Sequence, residues 1–183
     1  KTILVIGGSS GIGEASVAKL LSKGFRVLAT HNSKTIGARD NLEVFHYDVK
    51  TDKMLTNLPE VIDGLVYCPG SFRLKPFQKT STEDILEDFE INVLGAVKVI
   101  QQILPNLKKS LSPSVVMFSS VAAKLGFQYH TSISISKGAI ESLVKTLAAE
   151  YAPKIRFNSI APSIVKTSLT ERLLNSADKI EAN

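Results

Sequence analysis

A doubly wound α/β fold on a parallel sheet is predicted by three features of the chain. They are short apolar runs, longer helical patterns between them, and a glycine-rich turn joining the first run to the first helix. The runs place strands at Thr2 to Ile6, Arg26 to Thr30, Glu43 to Tyr47, Asp63 to Tyr67, Ser114 to Phe118 and Lys154 to Ser159. Such strands must be covered on both faces, which helical crossovers achieve. The helical patterns fall at Gly11 to Ser22, Thr82 to Leu107 and Thr131 to Tyr151, with Gly24 as the C-terminal cap of the first. In a sheet of this kind ligands bind beyond the carboxyl ends of the strands, so functional residues are expected just after each strand.

The first turn reads Gly7-Gly8-Ser9-Ser10-Gly11-Ile12-Gly13 and follows the apolar run Ile3-Leu4-Val5-Ile6. A strand turning sharply into a helix needs positive φ, and a diphosphate approaching the backbone needs positions without Cβ. Glycine supplies both, and the following helix aims its unpaired N–H groups and positive dipole end at the phosphates. Strand, glycines and helix arrive in the order of a dinucleotide site. The fold expected is therefore a Rossmann-type three-layer sandwich.

Composition narrows the function classes. A chain of 183 residues with 44% hydrophobic content suits one domain over residues 1–183. Its single cysteine, Cys68, excludes an internal disulfide framework and, lying in an apolar segment, reads as an inert buried thiol of a reducing compartment. No run is long enough to span a bilayer and no signal-peptide pattern opens the chain, so a cytoplasmic protein without a membrane partner is expected. The net charge of +5 does not indicate a nucleic-acid partner, because the basic residues are scattered and Lys108-Lys109 is the only adjacent pair.

After the second strand comes Thr30-His31-Asn32-Ser33, without the acidic residue that would bind an adenosine ribose hydroxyl. The missing carboxylate favours NADP over NAD, although no arginine stands ready for the 2′-phosphate and Lys34 is the nearest cation. After the third strand, Asp48-Val49 offers a polar and an apolar residue to flank an adenine ring; a turn role for Asp48 is equally open.

With these residues in place the chain resembles the short-chain dehydrogenase/reductase family over essentially its whole length. Gly7, Gly11 and Gly13 match the three glycines of its cofactor loop, with Ile6 where a threonine usually stands. Ser9, Ser10 and Ile12 belong to the same loop, and Asn32, Asp48 and Val49 match its adenosine side. Asn92-Val93-Leu94-Gly95 resembles the helix with an active-site asparagine, and Phe118-Ser119-Ser120-Val121 the strand end with a substrate-orienting serine. Phe157 to Pro162 resembles the segment before the nicotinamide-contacting loop, which implies cofactor contacts at Ile164 and Thr167. The resemblance implies hydride transfer between nicotinamide and a small carbonyl or alcohol. In that chemistry Ser120 holds the substrate oxygen, Lys137 the nicotinamide ribose and Asn92 a proton path. It also implies a homo-oligomer, a dimer or tetramer.

The family's proton donor is a tyrosine one helical turn before the lysine, with its pKa lowered by that lysine. Here the residue one turn before Lys137 is Ile133, which has no proton to give. Tyr129, a further turn back, is a substitute if its stretch is helical, and His130 is a second. The family's Asn-Asn-Ala-Gly becomes Tyr67-Cys68-Pro69-Gly70, where Tyr67 adds bulk near the cofactor, Pro69 removes a donor and only Gly70 carries over. Ala161-Pro162-Ser163 replaces a Pro-Gly turn, and Ser168 to Leu174 resembles a mobile substrate-lid helix. The family's last strand has no counterpart before Asn183, which implies a shortened form or an omitted C-terminal part. Two functions stand: an NAD(P)-dependent oxidoreductase, or a catalytically impaired NAD(P)-binding protein acting as sensor or structural partner.

Overall fold

The computed structural model describes residues 1–51 and 53–171. Its six strands are β1 (Thr2–Ile6), β2 (Arg26–His31), β3 (Leu42–His46), β4 (Gly64–Tyr67), β5 (Ser114–Phe118) and β6 (Arg156–Ile160). All pair in parallel in the order β3-β2-β1-β4-β5-β6. β1 lies at the centre, with Leu4 level with Leu28 of β2 on one side and Leu65 of β4 on the other. The order of connection reverses between β1 and β4, and a crevice opens there.

Four of the six strands differ from the expected ranges by a residue or two at an end. β6 begins only at Arg156 because the N–H groups of Lys154 and Ile155 still bond to the Tyr151 carbonyl, completing the exit from the preceding helix.

Helix α1 (Gly11–Ser22) matches its expected range, and Gly24, at φ +77°, closes it as expected: the Gly24 and Phe25 N–H groups return to the carbonyls of Leu21 and Leu20. The expected helix from Thr82 to Leu107 is three pieces. α2 (Thr82–Phe89) passes through a π turn at Glu90–Leu94 into α3 (Gly95–Lys108). Ser81 starts α2 with a capping box, accepting from the Asp84 N–H at 3.2 Å while the Asp84 carboxylate accepts from the Ser81 N–H. The π turn frees backbone carbonyls, and the buried Tyr67 hydroxyl donates to that of Ile91 at 2.6 Å. A short α4 (Ala122–Leu125) precedes α5 (Thr131–Tyr151).

α3 and α5 pack on one face, where Leu4, Leu65, Ile103, Leu107, Met117 and Ile140 form the main core. α1 covers the other face, its Val17 packing with Val5, Val27 and Ala29 of the strands. Cover on this second face is narrower than expected. Among the described residues Val66 there is only half-buried, and Asn158 and Ile160 on β6 are exposed.

Candidate active site

Two cavities of about 510 and 520 Å³ meet at the carboxyl ends of the central strands, and Ile12, Cys68, Gly70, Thr167 and Leu169 line both. The first is built on the glycine loop. Gly7 turns the chain out of β1 at φ +74°, and its N–H and that of Gly8 are pinned to Thr30, through Oγ1 and the carbonyl at 3.0 and 2.8 Å. A Cβ on Gly13 would lie 2.1 Å from the Gly7 carbonyl oxygen, so only glycine lets α1 sit this close to the strand end. Ser9, Ser10, Gly11, Ile12 and Gly13 line the cavity, and Ser10 caps α1 without a side-chain bond. The unpaired N–H groups and positive end of a 12-residue helix are thereby turned to this space.

At the far end of that cavity stand Asn32, Asp48 and Val49. Asp48 makes a turn while lining the cavity, its carboxylate accepting from the Lys50 N–H at 2.9 Å and its carbonyl from Thr51. Lys34 lies 4.0 Å from Glu14 at the exposed surface, outside the lining.

The second cavity holds Lys137, Ser120, Ile133 and Ile164. Lys137 Nζ donates to the Phe118 carbonyl at 2.9 Å, and burial brings its pKa down to about 8 against the opposing pull of Cys68 and Asp88. Ser120 Oγ accepts from the Ala122 N–H at 3.2 Å, which orients the hydroxyl. Ile133 is buried in the same wall. Thr167 closes over the junction against Gly11, whose added Cβ would lie 3.0 Å from Thr167 Cγ2. Asn92 sits behind Gly70: a Cβ on Gly70 would be 3.2 Å from Asn92 Oδ1 and 3.7 Å from Lys137 Nζ. That Asn92 oxygen is buried without a partner among the described residues, while its nitrogen donates to Ser71 Oγ and the Asp88 carbonyl at 3.0 and 2.8 Å. Burial in this region pushes the Cys68 thiol up to about 12, which keeps it inert.

Three expectations change. Tyr129 is not on a helical face with Ile133: α5 begins at Thr131, Tyr129 has φ +67°, its side chain is absent from the cavity lining, and it is 54% exposed. Positive φ at this tyrosine turns the chain before the helix starts and directs the ring outward. Tyr67 does not crowd the glycine-loop cavity but fills the core beside Gly95, where a Cβ would collide with its hydroxyl. Of the lid segment, residues 168–171 form a turn, and Arg172, Leu173 and Leu174 lie outside the described residues. His130 lines the second cavity, edge-on to Phe72, with Nδ1 2.7 Å from the Gln128 carbonyl.

The sequence reading missed Ser119, Ser71 and Asp88. Ser119 is buried, its hydroxyl lying 2.9 Å from the Glu141 carboxylate and 3.2 Å from the Lys137 carbonyl and so sharing its proton between two acceptors on the α5 turn that carries Lys137. Asp88 is fully buried and accepts hydroxyl protons from Ser71 and Ser132. The signal for it was spacing: Asp88 and Asn92 are a helical turn apart on one face.

A family model described as short chain dehydrogenase matches residues 1–178. A tropinone reductase homologue of Arabidopsis thaliana is 31% identical over 200 residues, covering 100% of this chain and 76% of that protein. The cyclopentanol dehydrogenase of Comamonas testosteroni is 28% identical over 199 residues, covering 100% and 80%. Among solved structures, a short chain dehydrogenase family protein from Francisella tularensis superposes with a TM-score of 0.85 at 25% identity, over 98% of this chain and 76% of that one. ElxO with NADP bound superposes at 0.84 and 25% identity, over 97% and 79%. With the strand order, the glycine cradle and the lysine pocket all in one crevice, the chain belongs to the short chain dehydrogenase family of oxidoreductases, which act between CH–OH and C=O.

Proposed function

We propose that this protein oxidises a small secondary alcohol, or reduces the matching ketone, with a nicotinamide dinucleotide, NADP in preference to NAD. The observation that carries this reading is the continuity of the glycine-loop cavity with the Lys137 cavity through Cys68 and Gly70. The chain's residues fit such a cofactor: the Gly7–Gly13 approach leaves no room for a side chain between α1 and the strand end, and the helix dipole suits a diphosphate. Bound there, the cofactor would supply the hydride or accept it.

Gly7, Ser9, Ser10, Gly11, Ile12 and Gly13 hold the diphosphate, and Asn32, Asp48 and Val49 hold the adenosine. Lys137, Gly70, Ile164 and Thr167 hold the nicotinamide end. Ser120 donates its hydroxyl to the substrate oxygen, and Asn92 keeps its buried oxygen for a water behind Gly70. NADP is favoured because Thr30, His31, Asn32 and Ser33 offer no carboxylate to repel a 2′-phosphate. Cyclic alcohols are the first substrates to test, since one relative is a cyclopentanol dehydrogenase.

No described helix is long and apolar enough to cross a membrane. We place the protein in the cytoplasm as a homo-oligomer. The exposed apolar residues Leu86, Leu94 and Ile135, on three neighbouring helical segments, support a self-contact, which light scattering reads directly.

The experiment is fluorescence titration with NADPH and NADH, followed by turnover on a panel of secondary alcohols and ketones headed by cyclopentanol and cyclopentanone. Tighter NADPH binding and turnover of at least one substrate are expected. Binding without any turnover leaves a dinucleotide sensor, and absence of binding overturns the reading.

A further inference from the structure

Asp88 is a fully buried carboxylate one turn before Asn92, and the hydride chemistry proposed above gives it no role. Its two oxygens take hydroxyl protons from Ser71, in the loop after β4, and from Ser132, at the start of α5. The Asp84 carbonyl lies 3.1 Å from the same Ser132 oxygen. The charged groups around it are Lys137 on α5, which feels it electrostatically, and Asp84 one turn earlier, which is bound to Arg73 and Lys75.

Ser71 connects this carboxylate to the substrate space. It lines the same cavity as Ser120, Ile133 and Lys137. Its hydroxyl gives its proton to Asp88 and accepts from Asn92 Nδ2 at 3.0 Å, which uses the donor and one lone pair. One lone pair is left for a group in the cavity. A hydroxyl that donates to a buried carboxylate while accepting from substrate is a proton relay.

We infer that Ser71 and Asp88 form the proton path that serves this active site in place of a tyrosine at position 133. In alcohol oxidation the substrate O–H bond breaks and its proton passes to Ser71 Oγ, while the Ser71 proton moves onto Asp88 Oδ1. The C–H bond breaks with its electron pair, the hydride goes to the oxidised nicotinamide dinucleotide, and the C=O bond forms. Asp88 ends protonated, and ketone reduction runs the same path backwards. Ser71 is the catalytic residue; Asp88 acts through it.

The inference rests on the proposed hydride chemistry, and its test separates the two. Oxidation of the alcohol panel with NADP is measured in the parent and in Ser71→Ala, Ser71→Thr and Asp88→Asn, alone and combined with Ile133→Tyr. NADPH affinity is read by fluorescence throughout. Ser71→Ala and Asp88→Asn should lower kcat about 100-fold or more with NADPH affinity within about twofold, the range lost when a positioned acid or base is removed. Ser71→Thr, which keeps the hydroxyl, should stay within about tenfold, and Ile133→Tyr should shrink both losses to less than about tenfold. In the protein free of cofactor, the carboxylate infrared band that Asp88→Asn removes should move in Ser71→Ala. An unmoved band overturns the relay, as does kcat within about threefold of the parent in both single variants. A parent that binds NADPH yet turns nothing over until Ile133→Tyr is introduced overturns the relay and leaves the cofactor site standing. Loss of NADPH binding in the parent overturns both.

Discussion

Lys137→Met is expected to make the cofactor-free protein more stable at neutral pH while weakening its hold on the dinucleotide. Burial brings the Lys137 ammonium from 10.5 to about 8, and at 1.36 kcal/mol per tenfold this is a folding penalty of about 3 kcal/mol. The sign follows from proton counting. Below about pH 8 folded and unfolded chains both carry the charge, and the folded one bears the whole penalty. Between about 8 and 10.5 the folded chain has released its proton and the unfolded one has not, so stability rises with pH; above 10.5 the penalty is gone. Methionine keeps the length without the charge, but leaves the Phe118 carbonyl without its donor, which costs about 1 kcal/mol. The net expectation is a gain of about 1–2 kcal/mol near pH 7 that disappears by about pH 10. Urea unfolding of parent and variant at both values measures it, and the difference between them cancels every other titrating group. A variant less stable than the parent near pH 7, or a difference that ignores pH, refutes the reasoning.

Three further outcomes are expected. Gly13→Ala forces α1 away from the Gly7 carbonyl; it should cost about 1–3 kcal/mol by urea unfolding and at least about tenfold in NADPH affinity, and full retention of both would contradict the close-approach geometry. Ile133→Tyr places a phenol one turn before Lys137 in the cavity wall and should raise kcat at least about tenfold on any substrate the parent accepts; a folded variant with unchanged kcat argues against position 133 facing the reacting carbon. Asn32→Asp puts a carboxylate at the end of β2 and should weaken NADPH about tenfold relative to NADH, so a titration in which both move together removes Asn32 from the adenosine end.

The strands and the glycine cradle were legible because each is a local pattern. β1, β5, α1 and α5 match their expected ranges from end to end, since apolar runs and caps are written in contiguous residues. The π turn was not, because Glu90-Ile91-Asn92-Val93-Leu94 carries no composition that distinguishes it from α-helix; what holds it is the Tyr67 hydroxyl, contributed by a strand far away in the chain. Tyr129 misled for the opposite reason. Its helical spacing from Ile133 was real on paper, but the helix starts after it. Asp88 was hidden by its type, since an aspartate in an amphipathic helix is expected at the surface, and only Ser71 and Ser132 converging from other segments turn it inward.

The π turn separates two jobs along one continuous rod. Upstream of it Asp88 faces Ser71 and Ser132; downstream, Val99, Ile103 and Leu107 face the sheet. An α-helix advances about 100° per residue, so an extra residue held in the turn sets the rotation between these two faces. Deleting one residue within Glu90–Leu94 would keep α3 seated and swing the Asp88 face by about 100° out of the crevice. The five-residue turn is thus a phase setting between the packed core and the crevice.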